Sequence, residues 1–153
     1  MEGYDEHFSF EELTDSEDHP ELVEENREYA KKYVNSGKRL SKLLGSVRKV
    51  LGNKPEKVNS GCRCPKLNIA VGSKAKESAH LKFEACDLKP PVGMTVREAF
   101  NIIEKAHTDG LLPDLRKVLE EGSWLHIEVA MNTKDYIGFF IGHDNNTRWE
   151  KVA

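Results

Sequence analysis

The stretch from Pro20 to Leu51 constrains this chain more than any other. Ala30, Tyr33, Val34, Leu40, Leu44, Val47 and Leu51 recur at steps of three and four residues, which aligns them along one side of a helix. Gly52 stands where a left-handed C-cap would end it, and Gly37 marks a candidate break inside it. A one-sided apolar stripe must be covered by another layer. The later segments supply the candidates. "EKVNSGCRCP" reads as a short strand entering a turn, and "PKLNIAVG" as a short helix with Pro65 at its first position. "FEACDL" has the length and composition of a strand, closed off by Pro90 and Pro91. Thr95 and Glu98 form a capping box that opens a helix with Ala99, Phe100, Ile102, Ile103 and Ala106 inward. Ahead of all these, Ser9 caps a short helix, Glu12 is its third residue, and Phe8 staples against Leu13. Helices first and strands later predict an α+β domain. It is read as one domain over 1–153, with an acidic segment at 1–26 and the chemistry concentrated in 57–130.

Composition narrows the function classes. The chain has 153 residues, 38% hydrophobic and 32% charged, which fits a soluble globular protein. No run of 18 apolar residues exists, so no membrane span is expected. The opening "MEGYDEHFSF" is acidic and lacks the apolar core of a secretion signal, so synthesis in a cytoplasm is expected. Residues 1–26 hold eleven Asp or Glu and no Lys or Arg, leaving 23 basic against 15 acidic residues in the remainder. A basic body suits an anionic polymer, nucleic acid or bacterial cell wall, or simply a solvated surface. No basic motif interleaved with aromatics supports nucleic acid, so no nucleic-acid partner is expected. Cys62, Cys64 and Cys86 are an odd number, and the Cys62–Cys64 spacing is too tight for the usual zinc knuckle. They read as reduced, buried small hydrophobes.

"SAHLKFEACD" places His80 seven residues before Asp87, two common zinc-ligand types. Taken alone, the pair is better described as a surface histidine and a turn aspartate. A third candidate comes from "LRKVLEEGSWLHIEVAMN". Gly122-Ser123 is a Gly-first pair suited to a two-residue hairpin turn. Glu121 then pairs with Trp124 and Leu119 with His126, and alternation puts Glu121, Trp124, His126 and Glu128 on one face, with Glu120 on the other. His126, beside Trp124 and among carboxylates, completes a set of three. Three protein ligands and an open position describe a catalytic zinc. His7, His19, His107 and His143 lie outside this pattern.

The ordered set Ser60-Gly61-x-Arg63, then Ser78, His80, Ala85 and Asp87, then Trp124 and His126, resembles a family. It is that of the zinc peptidases that include D-alanyl-D-alanine carboxypeptidases and phage L-alanyl-D-glutamate endolysins (peptidase M15-like). The opening "FSFEELTDSE" is also similar to small phage members. The resemblance implies a small antiparallel sheet carrying the zinc site, flanked by N-terminal helices, and Zn2+ held by His80, Asp87 and His126. Two positions depart from the pattern. Phe83 replaces a glycine, and Ser123 stands where many members carry the catalytic acid. Some members place the base five residues before the last histidine, which here is Glu121; Glu128 remains the alternative. Arg63 is assigned to a developing oxyanion or a substrate carboxylate, Ser78 to orienting the His80 loop, and Trp124 to a pocket wall.

These readings imply a zinc metallopeptidase, carboxypeptidase or endopeptidase, that cuts a stem-peptide amide of bacterial peptidoglycan. A monomeric bacteriophage endolysin, made without a signal peptide and acting on the wall after release, fits best. The competing expectation is a non-catalytic wall-binding or virion protein that keeps the zinc fold.

Overall fold

A computed structural model describes residues 2–73, 75–132 and 134–153. Ser9 Oγ accepts from the Glu12 amide at 3.1 Å and starts α1 (Phe10–Leu13). Phe8 and Leu13 are both buried, as a staple requires. The long helical stretch divides. A 3-10 turn at Pro20–Leu22 leads into α2 (Val23–Ala30), and a second at Lys31–Tyr33 separates it from α3 (Val34–Val50). The break therefore falls before Gly37, which lies inside α3. Gly37 answers a packing demand instead, because a Cβ there would lie 2.6 Å from the Phe83 ring. Gly52, at φ +98°, follows the end of α3 in the left-handed region.

The remaining elements are β1 (Lys57–Ser60), α4 (Pro65–Ala70), β2 (Ala85–Lys89), α5 (Val96–Thr108), β3 (Leu115–Glu120), β4 (Leu125–Val129), β5 (Gly138–His143) and β6 (Arg148–Lys151). The Thr95–Glu98 capping box is formed in both directions. Ala99, Phe100, Ile103 and Ala106 face inward, whereas Ile102, expected there too, sits on the rim of the stripe at 37% exposure.

The six strands form one sheet in the order β1-β2-β4-β3-β5-β6. The four strands around the site are antiparallel. β5 joins β3 in parallel and pairs with β6, so residues beyond the anticipated hairpin make the sheet mixed. Leu119 lies opposite His126, and the Glu121 amide donates to the Trp124 carbonyl at 3.1 Å, the register that a Gly122-Ser123 turn dictates. Strand alternation then gives the sheet two characters. Cys86, Leu88, Val118, Leu125, Ile127 and Phe139 meet Leu40, Leu44, Val47, Phe100 and Ile103 of the helices in the core. The opposite face carries Ser60, Asp87 and His126 in register across β1, β2 and β4. Among the described residues, no helix is long and apolar enough to cross a membrane, and the three cysteines are free and buried.

Candidate metal centre

Asp87 and His126 are cross-strand partners on β2 and β4, so sheet pairing alone brings two candidate ligands together. His80 arrives from a 3-10 turn, Ala79–Lys82, whose start is capped by Ser78 Oγ accepting from the His80 amide at 3.2 Å. That turn ends at Phe83 with φ +59°, a left-handed conformation that costs a non-glycine residue roughly 1–2 kcal/mol. Complete burial of the phenyl ring against Gly37 and Phe10 offsets this cost. The glycine of the family pattern is thus exchanged for a side chain that anchors the turn to α3.

The protonation pattern of His80 follows from its neighbours. Nδ1 lies 2.7 Å from the Gly61 carbonyl oxygen; a carbonyl only accepts, so Nδ1 donates and Nε2 presents its lone pair. Nε2 is 3.3 Å from Asp87 Oδ1, and His126 Nδ1 is 3.0 Å from the same oxygen. Tetrahedral ligands about 2.0–2.1 Å from a metal sit about 3.3 Å apart, so these separations suit zinc. The ligand atoms of His80, Asp87 and His126 all lie within 4.8 Å of one another, and all three residues are buried. Two neutral nitrogens and one carboxylate oxygen are the donor set a divalent cation of this kind takes.

Electrostatics support that view. Burial would raise the Asp87 pKa, yet the two imidazoles beside it, His80 and the hydrogen-bonded His126, hold it well below the ordinary carboxylate range. Burial pushes His80 down and so favours its neutral, ligating form. His126 goes the other way. Against the effect of burial, hydrogen bonds to Asp87 and Glu128 raise it to about 9, which favours the protonated ring at neutral pH when no metal is bound.

Arg63 sits beside the centre at 12% side-chain exposure. Its three nitrogens reach Ser60 Oγ (2.8 Å), Asn68 Oδ1 (3.3 Å) and Asp87 Oδ2 (3.1 Å). The loop that carries it is pinned from two sides. Asn26 of α2 donates to the Cys62 carbonyl and accepts from the Cys64 amide. The Cys62 amide donates to the Leu13 carbonyl at 2.9 Å, an approach so close that any Cβ at residue 61 would lie 2.2 Å from that oxygen. Gly61 is therefore a steric requirement.

The three candidate ligands open into a cleft of about 890 Å³ lined also by Arg63, Ser78, Glu121, Ser123 and Trp124. Glu121 Oε1 lies 3.8 Å from His126 Nδ1, a separation that one water can bridge. Burial and the Asp87 charge raise the Glu121 pKa. The Trp124 indole nitrogen is buried with no hydrogen-bond partner. Glu120, next in sequence, lies on the other face and pairs with Arg97 of α5. Glu128 is outside the cleft lining, bound to His126 Nε2 at 2.7 Å.

Sequence reasoning passed over several neighbours. The acidic segment forms part of the cleft wall through Glu12, Asp15, Glu17 and Asp18, which a charge count cannot reveal. Asn26 and Asn68 left no signal, being single polar residues in helices. Lys117 was findable, since the hairpin register that pairs Leu119 with His126 also makes it the cross-strand partner of Glu128.

The α+β fold gathers two histidines and an aspartate beside one sheet face, a group that could hold a metal ion. The chain belongs to the peptidase M15 family, which it matches over residues 6–128. It is by family a metallopeptidase. No curated protein matches it.

Proposed function

We propose that the chain is a zinc peptidase that hydrolyses a stem-peptide amide of peptidoglycan, as a bacteriophage endolysin does. The observation that carries this reading is the His80–Asp87–His126 group at zinc-ligand spacing beside a cleft that also receives the Glu121 carboxyl. When bound, zinc supplies Lewis acidity for the scissile carbonyl and brings the pKa of water down towards ~7.

The chain's own groups do the rest. Glu121 takes a proton from the attacking water on its carboxylate and delivers it to the departing amine. Its raised pKa suits both halves of that transfer. Arg63 has five N–H donors; the three contacts above fix its plane and leave others for a substrate carboxylate or the oxygen that gains charge. Ser78 holds the His80 turn, and Trp124 walls the cleft.

Digestion of purified peptidoglycan, followed by mass spectrometry of the released fragments, tests this directly. The expected result is new amino and carboxyl ends within stem peptides, abolished by chelation and restored by zinc. Uncut peptides together with retention of the protein on insoluble wall would instead establish the non-catalytic reading, which Ser123 at the usual acid position favours.

A further inference from the structure

Both ring nitrogens of His126 face a carboxylate, and only one nitrogen can serve a metal. Nδ1 lies against Asp87 Oδ1, the oxygen that also meets His80 Nε2. Nε2 points the other way, 2.7 Å from Glu128 Oε2. Glu128 is itself clamped. Its Oε1 accepts from Arg116 Nε at 3.0 Å, and Lys117 Nζ lies 3.4 Å from Oε2. Arg116 in turn reaches Glu84 Oε1 at 2.9 Å and Asp135 Oδ2 at 3.3 Å. Side-chain exposures of 8% for Glu128, 11% for His126 and 13% for Arg116 place this cluster beneath the sheet surface. A carboxylate so engaged on both oxygens is not free to serve a substrate in the cleft, and the imidazole it meets is that of His126.

We propose that Glu128 is a positioning residue for the metal centre: it accepts the proton on His126 Nε2 and thereby commits Nδ1 as the ligand atom. The inference rests on the zinc reading above but concerns a residue outside the ligand set. A ring without that acceptor can carry its proton on either nitrogen and rotate about its side-chain bonds, so both tautomer and aim are lost. Outer partners of ligating histidines typically contribute 10–100-fold to metal affinity. Arg116 and Lys117 hold Glu128 stationary, which lets a carboxylate in a buried strand act as a fixed acceptor.

The test compares the full chain with Glu128→Gln and Glu84→Gln. Glu84 meets the same Arg116 but not His126, so it controls for damage to the ionic cluster. Zinc affinity is measured by competition with a chromophoric chelator, and the His126 ring is read by 15N NMR of the zinc-loaded protein. Circular dichroism verifies folding. The expected result has three parts: Nδ1 metallated and Nε2 protonated in the parent, zinc affinity 10–100-fold lower in Glu128→Gln, and affinity within about twofold of the parent in Glu84→Gln. Should Glu128→Gln fail to fold, the tautomer of the parent alone decides: Nε2 metallated overturns the inference. Equal affinity in the parent and Glu128→Gln, or equal losses in both variants, also overturns it while leaving the zinc reading intact. A parent that binds no zinc overturns both.

Discussion

Glu120 and Glu121 are neighbours with opposite surroundings. Glu120 turns to Arg97 on the helical face, and Glu121 turns to the cleft near His126. Glu121→Gln should therefore keep fold and zinc but lower turnover by roughly 10²–10⁴, while Glu120→Gln stays active. Rates of stem-peptide hydrolysis measured side by side check this; an active Glu121→Gln would remove it as base. Glu56 is a different case. Both of its carboxylate oxygens are buried without a hydrogen-bond partner, and burial raises its pKa from 4.5 to about 7. The folded state then binds the proton more tightly than the unfolded chain, so this group's contribution falls as pH rises from 4.5 to 7 and stays low above it. Glu56→Gln should stabilise the protein by about 1–2 kcal/mol at pH 8 and by little at pH 4.5, a part-buried group deserving less than full linkage. Thermal melts of both proteins at the two pH values measure the difference.

The turn Ala79–Lys82 and helix α3 are coupled through one ring. Phe83 ends the turn in a left-handed conformation, and its ring occupies the space that the absent Cβ of Gly37 leaves. Phe83→Ala should cost about 3–5 kcal/mol. Gly37→Ala should cost about 1–3 kcal/mol by overpacking. Because the two changes act on the same contact, the double variant should be less destabilised than their sum by about 0.5–3 kcal/mol. Urea unfolding of the four proteins closes this cycle. Strict additivity would mean that the ring does not link turn to helix. Since His80 rides on that turn, the same packing sets where its Nε2 lies.

The sheet face with its bound proton makes the whole protein's stability depend on pH and metal together. In the chelated chain, His126 rises from 6.5 to about 9, so its contribution is complete below 6.5 and lost as pH climbs through 9. Glu128 falls from 4.5 to about 2 because hydrogen bonds and charges outweigh burial, so its contribution is present above 4.5 and lost as pH drops through 2. The chelated protein should therefore melt highest between about pH 4.5 and 6.5. Zinc needs His126 without the proton on its ligating nitrogen, so binding at pH 7 should release about one proton. Calorimetry in buffers of different ionisation enthalpy measures that number. A value near zero would contradict a protonated His126 as ligand.

Local rules account for much of this molecule. Ser9 and Thr95 cap their helices through neighbouring amides, the stripe from Leu40 to Leu51 is inherent in helical spacing, and Gly122-Ser123 sets the register that brings Leu119 opposite His126. Each depends on residues near in the chain, and so each was legible in order and type. The candidate ligands could be named from the sequence as residue types, and the pairing of Asp87 with His126 follows once β2 and β4 are neighbours. Which strands become neighbours is settled by long-range burial, and the parallel entry of β5 beside β3 was invisible for that reason. So was the clamp around Glu128. Glu121 and Glu128 share a strand face, yet one meets the cleft and the other a clamp of Arg116 and Lys117. Alternation assigns a face, whereas the charges packed against that face assign the role.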